Sequence, residues 1–413
     1  MKIVFVRPNK DAWGYKPIGL SLLMALEKSK GNEVFLFDTT RYNFDVLDNN
    51  TAGVKSGIFK PVDMSSYHQK VKPTAEKDFY DLLSIVKPDE VKFSVMSDQT
   101  DLAETLSNIA REFTSNIIWG GSHPTMSGDC PEFIHKHKGE AIQSLYNVKC
   151  LDDLPYLSWD EYEEGNFWRP FNGKAYRAGD HMLNWGCSNH CSYCINSMQK
   201  VKVRRYGVDR IIDELVYLKD RHKINFFKFH DEDFLLRPTK NLSELAQSYS
   251  DRVGLPFVCE TNPMNVTEEK AQIMKDMGCV SVSMGVETGN EHLRSKVLNR
   301  RDSIDDVVRA FKIFNKVGVR GSSFNMLGIP FETWDTYQDT IELNKRAEVV
   351  APYADFFYPF QGTVLREVAI KEGYFNPVIA GNYTRGKSQL TFPTLSPDDL
   401  LTMKSEFTER IHA

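Results

Sequence analysis

Three cysteines stand close together in the run Cys187-Ser-Asn-His-Cys191-Ser-Tyr-Cys194, directly after a short apolar stretch at 181–185. Thiolates at this spacing can hold a metal, but a closed structural zinc site normally takes four ligands. An iron–sulfur cluster held by only three thiolates leaves one iron open to a substrate or a cofactor. The C-x3-C-x2-C run therefore predicts a metal centre with an open position, which favours catalysis over a structural role.

Two other interpretations of these cysteines stay open at this point, and a third is set aside. The thiols could be buried small hydrophobic groups, although Ser, Asn and His between them are not typical of a core. Zinc could take His190 as its fourth ligand, although the neighbours His190 and Cys191 reach one ion together only with difficulty. A disulfide framework is typical of small secreted chains, whereas this chain has 413 residues and 7 cysteines, an odd number.

The composition bounds the classes of protein to which the chain can belong. A length of 413 residues, 41% of them hydrophobic, predicts two or three globular domains. A net charge of -5 gives no electrostatic reason to expect a nucleic-acid partner. No stretch approaches the roughly 20 apolar residues that span a bilayer, and the first apolar run is too short for a signal peptide. We therefore expect a cytoplasmic protein that has no membrane partner and whose thiols are reduced.

Strands and helices alternate in the first part of the chain. Short β-branched and apolar runs predict strands at 2–6, 33–37, 90–96 and 116–119. Amphipathic segments predict helices at 17–28, 75–86 and 101–112, and a polar stretch predicts a long loop that reaches Lys72. This alternation predicts an α/β fold with a doubly wound, Rossmann-like parallel sheet.

The alternation stops in a stretch rich in Asp, Pro and aromatic residues, 151–177, which we interpret as a linker. It resumes with predicted strands at 181–185, 224–229, 256–259, 280–286, 319–327 and 354–358. Thr267, Ser303 and Thr333 are predicted helix N-caps between these strands. Six strand–helix steps predict a partial (β/α)6, TIM-like barrel, in which active sites gather where strands end. The expected domains are 1–145, a linker at 146–180, the barrel at 181–365 and an extension at 366–413.

Carboxylates and glycine turns follow the predicted barrel strands at the same edge as the thiols. Asp231 and Glu232 end the second strand and could hold a cationic amine, while Glu287 or Asn325 could hold sugar hydroxyls. Each acid taken singly could equally be a surface or capping residue. Their collection at one edge predicts a binding site for a polar cofactor or substrate.

The cysteine run after a first barrel strand resembles the radical S-adenosylmethionine (SAM) enzymes. The resemblance implies that Cys187, Cys191 and Cys194 are catalytic as the ligands of a 4Fe-4S cluster. The open iron would chelate SAM, and an electron from the cluster would cleave SAM to methionine and a 5′-deoxyadenosyl radical. Further motifs match at Phe229-His-Asp-Glu-Asp-Phe234, at the Gly-x-Glu-Thr-Gly run around Glu287, at Gly328-Ile-Pro-Phe-Glu-Thr333 and at Phe360-Gln-Gly-Thr363. The residues implied in SAM binding are Tyr193, Asp231, Glu232, Thr261, Glu287, Asn325 and Gly328.

The first part of the chain is similar to the cobalamin (B12)-binding domain of one radical SAM branch. The motifs that carry this likeness are Lys16-Pro-Ile-Gly-Leu20, Phe93-Ser-Val-Met-Ser-Asp-Gln99 and Gly120-Gly-Ser-His-Pro-Thr125. The implied cobalamin-binding residues are Pro17, Gly19, Ser94, Ser97, Gly120, Gly121, His123 and Pro124. The Asp-x-His-x-x-Gly motif that supplies a cobalt ligand in other cobalamin proteins is missing between Asn9 and Gly19. The resemblance therefore implies either cobalamin bound without a protein histidine or a domain that binds none.

The resemblance predicts a cobalamin-dependent radical SAM methyltransferase that acts on an unactivated carbon, or on phosphorus, of a small molecule or peptide. Its expected partner is an electron donor of the flavodoxin or ferredoxin type. The alternatives are a radical SAM cyclase, oxidase or rearrangement enzyme, with or without cobalamin, and a metal-stabilised binding module without activity. A methylthiotransferase is disfavoured because the first part of the chain offers only Cys130 and Cys150 for a second cluster.

Overall fold

The computed structural model describes residues 1–10, 14–44, 54, 60–68, 74–141, 146, 148–199, 202–377 and 386–413. It divides into two compact units, Met1–Asp180 and His181–Ala413. The division falls where the predicted barrel domain begins, and the other predicted domain boundaries stay predictions. Much of the predicted long loop before Lys72 lies outside the described residues.

The first unit is built on a parallel sheet of five strands in the order β2-β1-β3-β4-β5. These strands are β1 (Lys2–Arg7), β2 (Glu33–Asp38), β3 (Glu90–Ser94), β4 (Ile117–Gly120) and β5 (His135–Lys136). The helices that follow them are α1 (Ile18–Ser29), α2 (Ala75–Val86), α3 (Thr100–Ala110) and α4 (Ser122–Met126). The predicted doubly wound sheet is therefore confirmed, with element bounds that differ by a few residues at most.

The strand order creates a crevice in this sheet. The chain passes from β1 to β2 on one side and later to β3 on the other, so the connections leave the carboxyl ends of β1 and β3 in opposite directions. Ligands of open α/β sheets bind outside the sheet at such a switch point. Beneath it, buried Val4, Val6, Phe93 and Trp119 form part of the core, which positions the loops at the sheet's edge.

The stretch predicted as a linker is an integral part of the first unit. Trp159 and Phe167 are buried, and strands β6 (Trp168–Phe171) and β7 (Lys174–His181) form an antiparallel hairpin. The strand predicted at 181–185 is wrong in extent, because β7 ends at His181 and only β8 (Asn184–Trp185) follows, paired antiparallel with β9 (Arg204–Arg205).

A side chain accounts for that early strand end. The Asp231 carboxylate accepts the backbone N–H groups of Leu183 and Asn184 at 3.0 and 2.6 Å. These groups are thereby satisfied by a carboxylate rather than by a neighbouring strand, which ends the ladder.

The second unit carries five parallel strands in the order β14-β13-β12-β11-β10. They are β10 (Phe226–Phe229), β11 (Phe257–Thr261), β12 (Cys279–Glu287), β13 (Arg320–Leu327) and β14 (Ala351–Phe356). The His181 carbonyl, at the end of β7, accepts from His230 N at 2.8 Å. Helices α5 (Ile195–Gln199), α6 (Val208–His222), α7 (Thr239–Arg252), α8 (Glu268–Met277), α9 (Ile304–Val317) and α10 (Trp334–Arg346) alternate with the strands. The predicted partial barrel is confirmed.

Local signals set the helix ends of this unit as the sequence predicts. Thr267 accepts the N–H of Lys270 at the start of α8, and Ser303 forms a capping box with Asp306 at the start of α9. Gly278 and Gly318 end these helices with positive φ angles of 103° and 74°.

The last helices close one end of the barrel sheet. They are α11 (Val364–Lys371) and α12 (Pro397–His412), and Leu365, Met403 and Phe407 share a buried cluster with Leu327 of β13. In the part of the chain that the structure describes, no helix is long and apolar enough to cross a bilayer.

Candidate active site

The three thiols lie on one loop, 187–194, that connects β8 to α5 and is called the cysteine loop below. Cys191 is buried, while Cys187 and Cys194 are half-buried. Cys194 N donates to the Cys191 carbonyl at 3.1 Å, so the loop turns tightly between these two cysteines.

The segment 297–299, which follows β12 in the chain, forms hydrogen bonds with backbone and side-chain groups of the cysteine loop. Ser192 donates its N–H to the Leu298 carbonyl at 3.0 Å and its hydroxyl to the Val297 carbonyl at 2.6 Å. The side-chain amide of Asn299 donates to the His190 carbonyl at 2.7 Å. None of these contacts uses a cysteine, so the loop conformation is fixed by the polypeptide itself.

A polar network joins the loop to the end of β12. Tyr193 donates to Glu287 Oε1 at 3.1 Å, and Arg300 donates to the Tyr193 hydroxyl at 2.9 Å. Arg300 also bonds the Gly285 carbonyl at 2.8 Å and pairs with Asp302 at 2.9 Å. Arg300 Nε is buried and lacks a partner among the described residues. The network places a cation and a carboxylate directly beside the thiols.

Burial and local donors oppose each other at the thiols. Burial raises the pKa of Cys191 to about 11, while the Arg300 charge acts in the opposite direction. Burial also raises the pKa of Cys187 and Cys194, against the N–H groups of Asn189 and of residues 196–197 that point at the sulfurs. N–H donors stabilise the thiolate form, and a bound metal deprotonates a thiol outright. The donor set therefore fits a thiolate-bound metal centre.

The arrangement differs from the one that a single zinc ion requires. Within the described ranges, no three His, Cys, Asp or Glu side chains converge on one point as ligands of one ion must. The main-chain carbonyl of His190 accepts from Asn299, and the residue is exposed. Residues that each bind a different iron of a cluster do not need to converge on one ion.

The first and third acids of the motif that follows β10 have structural partners. Asp231 holds the backbone of 183–184, as described above, and burial raises its pKa to about 7. Asp233 accepts the Thr261 hydroxyl at 2.6 Å and the Asn262 N–H at 3.2 Å. Thr261 in turn accepts the Leu235 N–H at 3.2 Å. The predicted role of Asp231 and Thr261 in SAM binding stays a prediction.

Glu232, the second acid of the same motif, keeps free hydrogen-bonding capacity. Its Oε1 accepts the Asn196 amide at 3.3 Å, whereas its buried Oε2 has no partner among the described residues. Burial raises its pKa, and Cys187 and Cys194 are near enough for their charges to interact with it. Of the acids in this motif, Glu232 is the one with an oxygen available to a ligand near the cysteine loop.

Asn325 and Gly328 lie on and after β13. The Asn325 amide donates to Ser323 and to the Tyr353 carbonyl, and its oxygen accepts from Asn344 of α10 at 2.9 Å, so the side chain faces the helix layer. Gly328, with a positive φ of 70°, donates its N–H to the buried carboxyl of Glu332. Both roles in SAM binding stay predictions.

In the first unit, the structure brings most of the predicted cobalamin-binding residues together. Ser94 and Gly120 are register partners on β3 and β4, and Pro124 is buried in α4 just beyond them. His123 Nδ1 lies 3.2 Å from the Ser97 hydroxyl, and its Nε2 lies 3.0 Å from the Asp129 carbonyl. These residues form the carboxyl edge of β3 and β4.

Gly121 allows this edge to form. Its φ is +103°, and a Cβ on it would lie 2.7 Å from the Val95 carbonyl oxygen. Only glycine adopts such a conformation at low cost.

Pro17 and Gly19 lie apart from this group, at the start of α1, which follows β1 on the other side of the crevice. Gly19 is exposed, and no atom lies within 4 Å of a Cβ placed on it.

The sequence reasoning missed two buried cations. Arg300 has no local motif that reveals its contact with Tyr193, which is 107 residues away. Lys16 is fully buried, donates to the Ala178 carbonyl at 2.9 Å and pairs with Asp180 at 3.1 Å. Lys16 thereby connects the start of α1 to the β6–β7 hairpin. The only sequence signal for this role is that Lys16 precedes Pro17 in the motif Lys16-Pro-Ile-Gly-Leu20.

The comparisons with known proteins agree with this geometry. The profile of the Radical SAM superfamily matches residues 185–343, a range that contains the cysteine loop and β10–β13. An uncharacterized methyltransferase of Pyrococcus horikoshii is 24% identical over 341 residues, which cover 71% of this chain and 72% of the relative. The cytidylyl-2-hydroxyethylphosphonate methyltransferase of Streptomyces wedmorensis is 24% identical over 273 residues, which cover 62% of this chain but only 49% of the relative.

Among solved structures, the radical S-adenosylmethionine methyltransferase TsrM from Kitasatospora setae, with cobalamin and a 4Fe-4S cluster bound, matches with a TM-score of 0.65. The match covers 90% of this chain and 75% of that chain at 15% sequence identity. At this identity the likeness shows the fold alone.

The radical SAM profile and the methyltransferases among the relatives indicate that the protein is an enzyme with an α/β fold. Residues 185–343, which contain the cysteine loop and strands β10–β13, form a radical SAM domain. The family resemblance that the cysteine motif indicated is therefore confirmed. Enzymes of this family act on a substrate and need a reductant.

Proposed function

We propose that the protein is a cobalamin-dependent radical SAM methyltransferase with Cys187, Cys191 and Cys194 as ligands of a 4Fe-4S cluster. The observation that carries the proposal is the cysteine loop, fixed by the segment 297–299, with the free carboxylate oxygen of Glu232 beside it. When bound, the cluster and SAM supply a 5′-deoxyadenosyl radical, and cobalamin supplies the methyl group.

The residues around the loop would bind and orient SAM. Glu232 would accept the SAM amine with its unpartnered oxygen, since a carboxylate is the natural acceptor for an ammonium group. Arg300, whose Nε lacks a partner among the described residues, offers a donor to the SAM carboxylate. Tyr193 and Glu287 hold Arg300 in place. A carboxylate and a guanidinium near the loop would together orient the amino-acid end of SAM toward the open iron.

In the first unit, the crevice between β1 and β3 would hold cobalamin. Gly19 leaves room for a ligand, because no atom lies within 4 Å of a Cβ placed on it, and Ser94, Ser97 and His123 offer polar atoms at the carboxyl edge of β3 and β4. His123 is bonded to Ser97 and to the Asp129 carbonyl and would contact the nucleotide end rather than the cobalt. The names of the relatives support methyl transfer as the reaction.

A single experiment separates this proposal from its alternatives. The protein is reconstituted anaerobically with iron, sulfide and cobalamin, then given SAM and a reductant, and the SAM products are quantified. 5′-Deoxyadenosine together with S-adenosylhomocysteine is expected, because methyl transfer consumes a second SAM. 5′-Deoxyadenosine without bound cobalamin would favour a cyclase, an oxidase or a rearrangement enzyme, and absence of 5′-deoxyadenosine would contradict any radical reaction.

The ligand assignment has its own test. Cys191→Ala should lose the iron and the charge-transfer absorbance of the cluster, whereas Cys150→Ala, an exposed cysteine of the first unit, should keep both. Full iron content in Cys191→Ala would refute the assignment. A colourless protein with bound zinc in the wild type would favour the binding module.

A further inference from the structure

The barrel sheet of the second unit has one face that its helices do not cover. On β13, a Cβ on Gly321 would meet the ring of Phe311 from α9 at 2.7 Å, and Ser323 bonds Asn344 of α10. Because side chains alternate along a strand, Ser322 and Phe324 project to the opposite face. Phe324 is 37% exposed there. We call this surface the open face.

The strand register orders the open face into rows. The row at the amino ends of the strands holds Lys228, Val258, Ser281 and Arg320. The next row toward the cysteine loop holds Glu260, Ser283, Ser322 and Ala351, followed by Gly285, Phe324 and Tyr353, and then by Met326 and Asp355 beside Glu287. Successive rows are separated by two residues, or about 7 Å.

The middle rows combine space with an aromatic surface. Ser283, Ser322 and Ala351 have short side chains, which leaves room above the sheet at these positions, whereas Glu287 and Arg300 lie over Gly285. The rings of Phe324 and Tyr353 lie 6.0 Å apart at an angle of 84°. An edge-to-face pair that leaves one ring partly exposed is a surface on which a third flat ring can pack.

The charges of the open face do not balance. Lys228 pairs with Glu260 at 3.2 Å, and Asp355 pairs with Lys404 of α12 at 2.6 Å. Arg320, which is half-buried, bonds only the Ser322 hydroxyl, at 3.4 Å, and no carboxylate among the described residues lies within 4.0 Å of it. Burial lowers the pKa of Arg320, and no acid opposes this effect. One desolvated positive charge therefore remains without a counter-ion.

An anion from a ligand would complete this arrangement. A guanidinium partly removed from water gains more from a carboxylate or phosphate than an exposed one does, because the local dielectric is lower. The bond to Ser322 directs the Arg320 side chain along the strand toward the row of Phe324. The anion site and the ring site are therefore about one row, roughly 7 Å, apart.

We propose that the open face binds the substrate of this enzyme, and that this substrate carries an aromatic ring and, about 7 Å away, an anionic group, either a carboxylate or a phosphate. The ring packs on Phe324 and Tyr353, and the anion bonds Arg320. The assignment of this ligand as the substrate rests on the proposed function, because the open face leads toward Glu287 and the cysteine loop.

Three probes that carry a phenyl ring on a two-carbon linker test this inference on the reconstituted full-length protein. They are 3-phenylpropionate, 2-phenylethyl phosphate and the neutral 3-phenylpropanamide, with dissociation constants measured by ligand-observed NMR. At least one anion should bind roughly 10-fold more tightly than the amide, the factor set by one charge-assisted hydrogen bond. The tighter of the two anions identifies carboxylate or phosphate as the recognised group.

Substitutions locate the binding on the open face. Arg320→Gln should weaken the anions roughly 10-fold and leave the amide unchanged, and Arg320→Lys should restore part of the loss. Phe324→Ala should weaken all three probes. The matched control is Arg346→Gln, an exposed arginine at the end of α10, which should bind like the wild type.

Two outcomes would overturn the inference: equal affinity of the wild type for anions and amide, or unchanged anion binding by an Arg320→Gln protein whose melting temperature and iron content match the wild type. Failure of the proposed function is seen separately, as absence of 5′-deoxyadenosine from wild-type protein with SAM and reductant. If a protein that forms no 5′-deoxyadenosine still binds the anions selectively through Arg320, the binding site is supported and only its assignment to a radical reaction is wrong.

Discussion

The Tyr193 hydroxyl lies 3.1 Å from Glu287 Oε1, and this bond joins the cysteine loop to the last residue of β12. Glu287 has a φ of +64°, a left-handed conformation that is uncommon for residues other than glycine. Such a residue costs of the order of 1 kcal/mol and persists where its surroundings hold it. The contacts to Tyr193 and Arg300 supply that support.

Removing the phenol should therefore loosen the cysteine loop. We expect Tyr193→Phe to lower the free energy of unfolding by about 1–2 kcal/mol, because buried polar atoms of Glu287 and Arg300 lose a partner. Cluster loss on exposure to a chelator should also be faster. Urea denaturation and the rate of iron release measure the two effects. Tyr80→Phe, an exposed tyrosine of the first unit, is the control, and equal behaviour of the two variants would contradict the role of Tyr193.

Substitutions of the two neighbouring acids Asp231 and Glu232 should have different effects, one on stability and the other on SAM binding. Asp231→Asn should destabilise the fold, because its carboxylate holds the N–H groups of Leu183 and Asn184. Glu232→Gln should keep stability and iron content but weaken SAM binding by roughly 10-fold or more, the effect of losing a charged partner for an ammonium group. SAM-dependent change in the EPR spectrum of the reduced cluster reports binding. If both variants bind SAM like the wild type, Glu232 is not the amine ligand.

Glu332 should make stability fall as the pH rises. Its carboxyl is 1% exposed, and burial raises its pKa from 4.5 to about 8. The folded state therefore keeps a proton that the unfolded state releases above about pH 4.5. The contribution of Glu332 is fully present below that pH and is lost as the pH rises through 8, with a slope of at most about 1.4 kcal/mol per pH unit.

Glu332→Gln mimics the protonated carboxyl and should flatten this pH dependence. The amide oxygen can still accept the Gly328 N–H. Urea denaturation at several pH values between 5 and 8.5, with Glu342→Gln on the exposed side of α10 as the control, measures the difference. A wild-type slope retained in Glu332→Gln would show that another group titrates.

Gly19 offers a test of the cobalamin crevice that does not disturb the fold. Alanine is favoured over glycine in a helix by about 0.5–1 kcal/mol, and a Cβ at Gly19 meets nothing within 4 Å. Gly19→Ala should therefore stabilise the protein slightly, yet lower its cobalamin content because the methyl group enters space that the cofactor needs. Gly121→Ala should instead destabilise the first unit, since its Cβ would collide with the Val95 backbone. Wild-type cobalamin content in Gly19→Ala would place the cofactor elsewhere.

Elements whose signals are local could be predicted from the sequence. The capping box of Ser303 and the terminating glycine at 318 define α9 within a few residues. The open metal site that the cysteine spacing indicates stays a prediction. The strand predicted at 181–185 was wrong because its limit depends on Asp231, a side chain 48 residues away in sequence. Strand propensity carries no information about such a competitor.

The orientation of polar side chains was harder to predict than their position. Asn325 was placed correctly at the end of β13, but alternation alone does not tell which face of the strand meets the helices, and its amide is bonded to α10. Arg300 escaped prediction because its partners Tyr193, Glu287 and Asp302 converge on it only in the folded chain.

The hydrogen bonds from Ser192 and Asn299 have a consequence for how the enzyme matures. A loop that depends on its metal for shape must fold and load in one step, as small zinc domains do. Here the main chain around the thiols is already tied to the segment 297–299 by groups that are not ligands. We therefore expect that iron and sulfide can be delivered after the polypeptide has folded, and that a cluster lost to oxygen can be rebuilt without unfolding the chain.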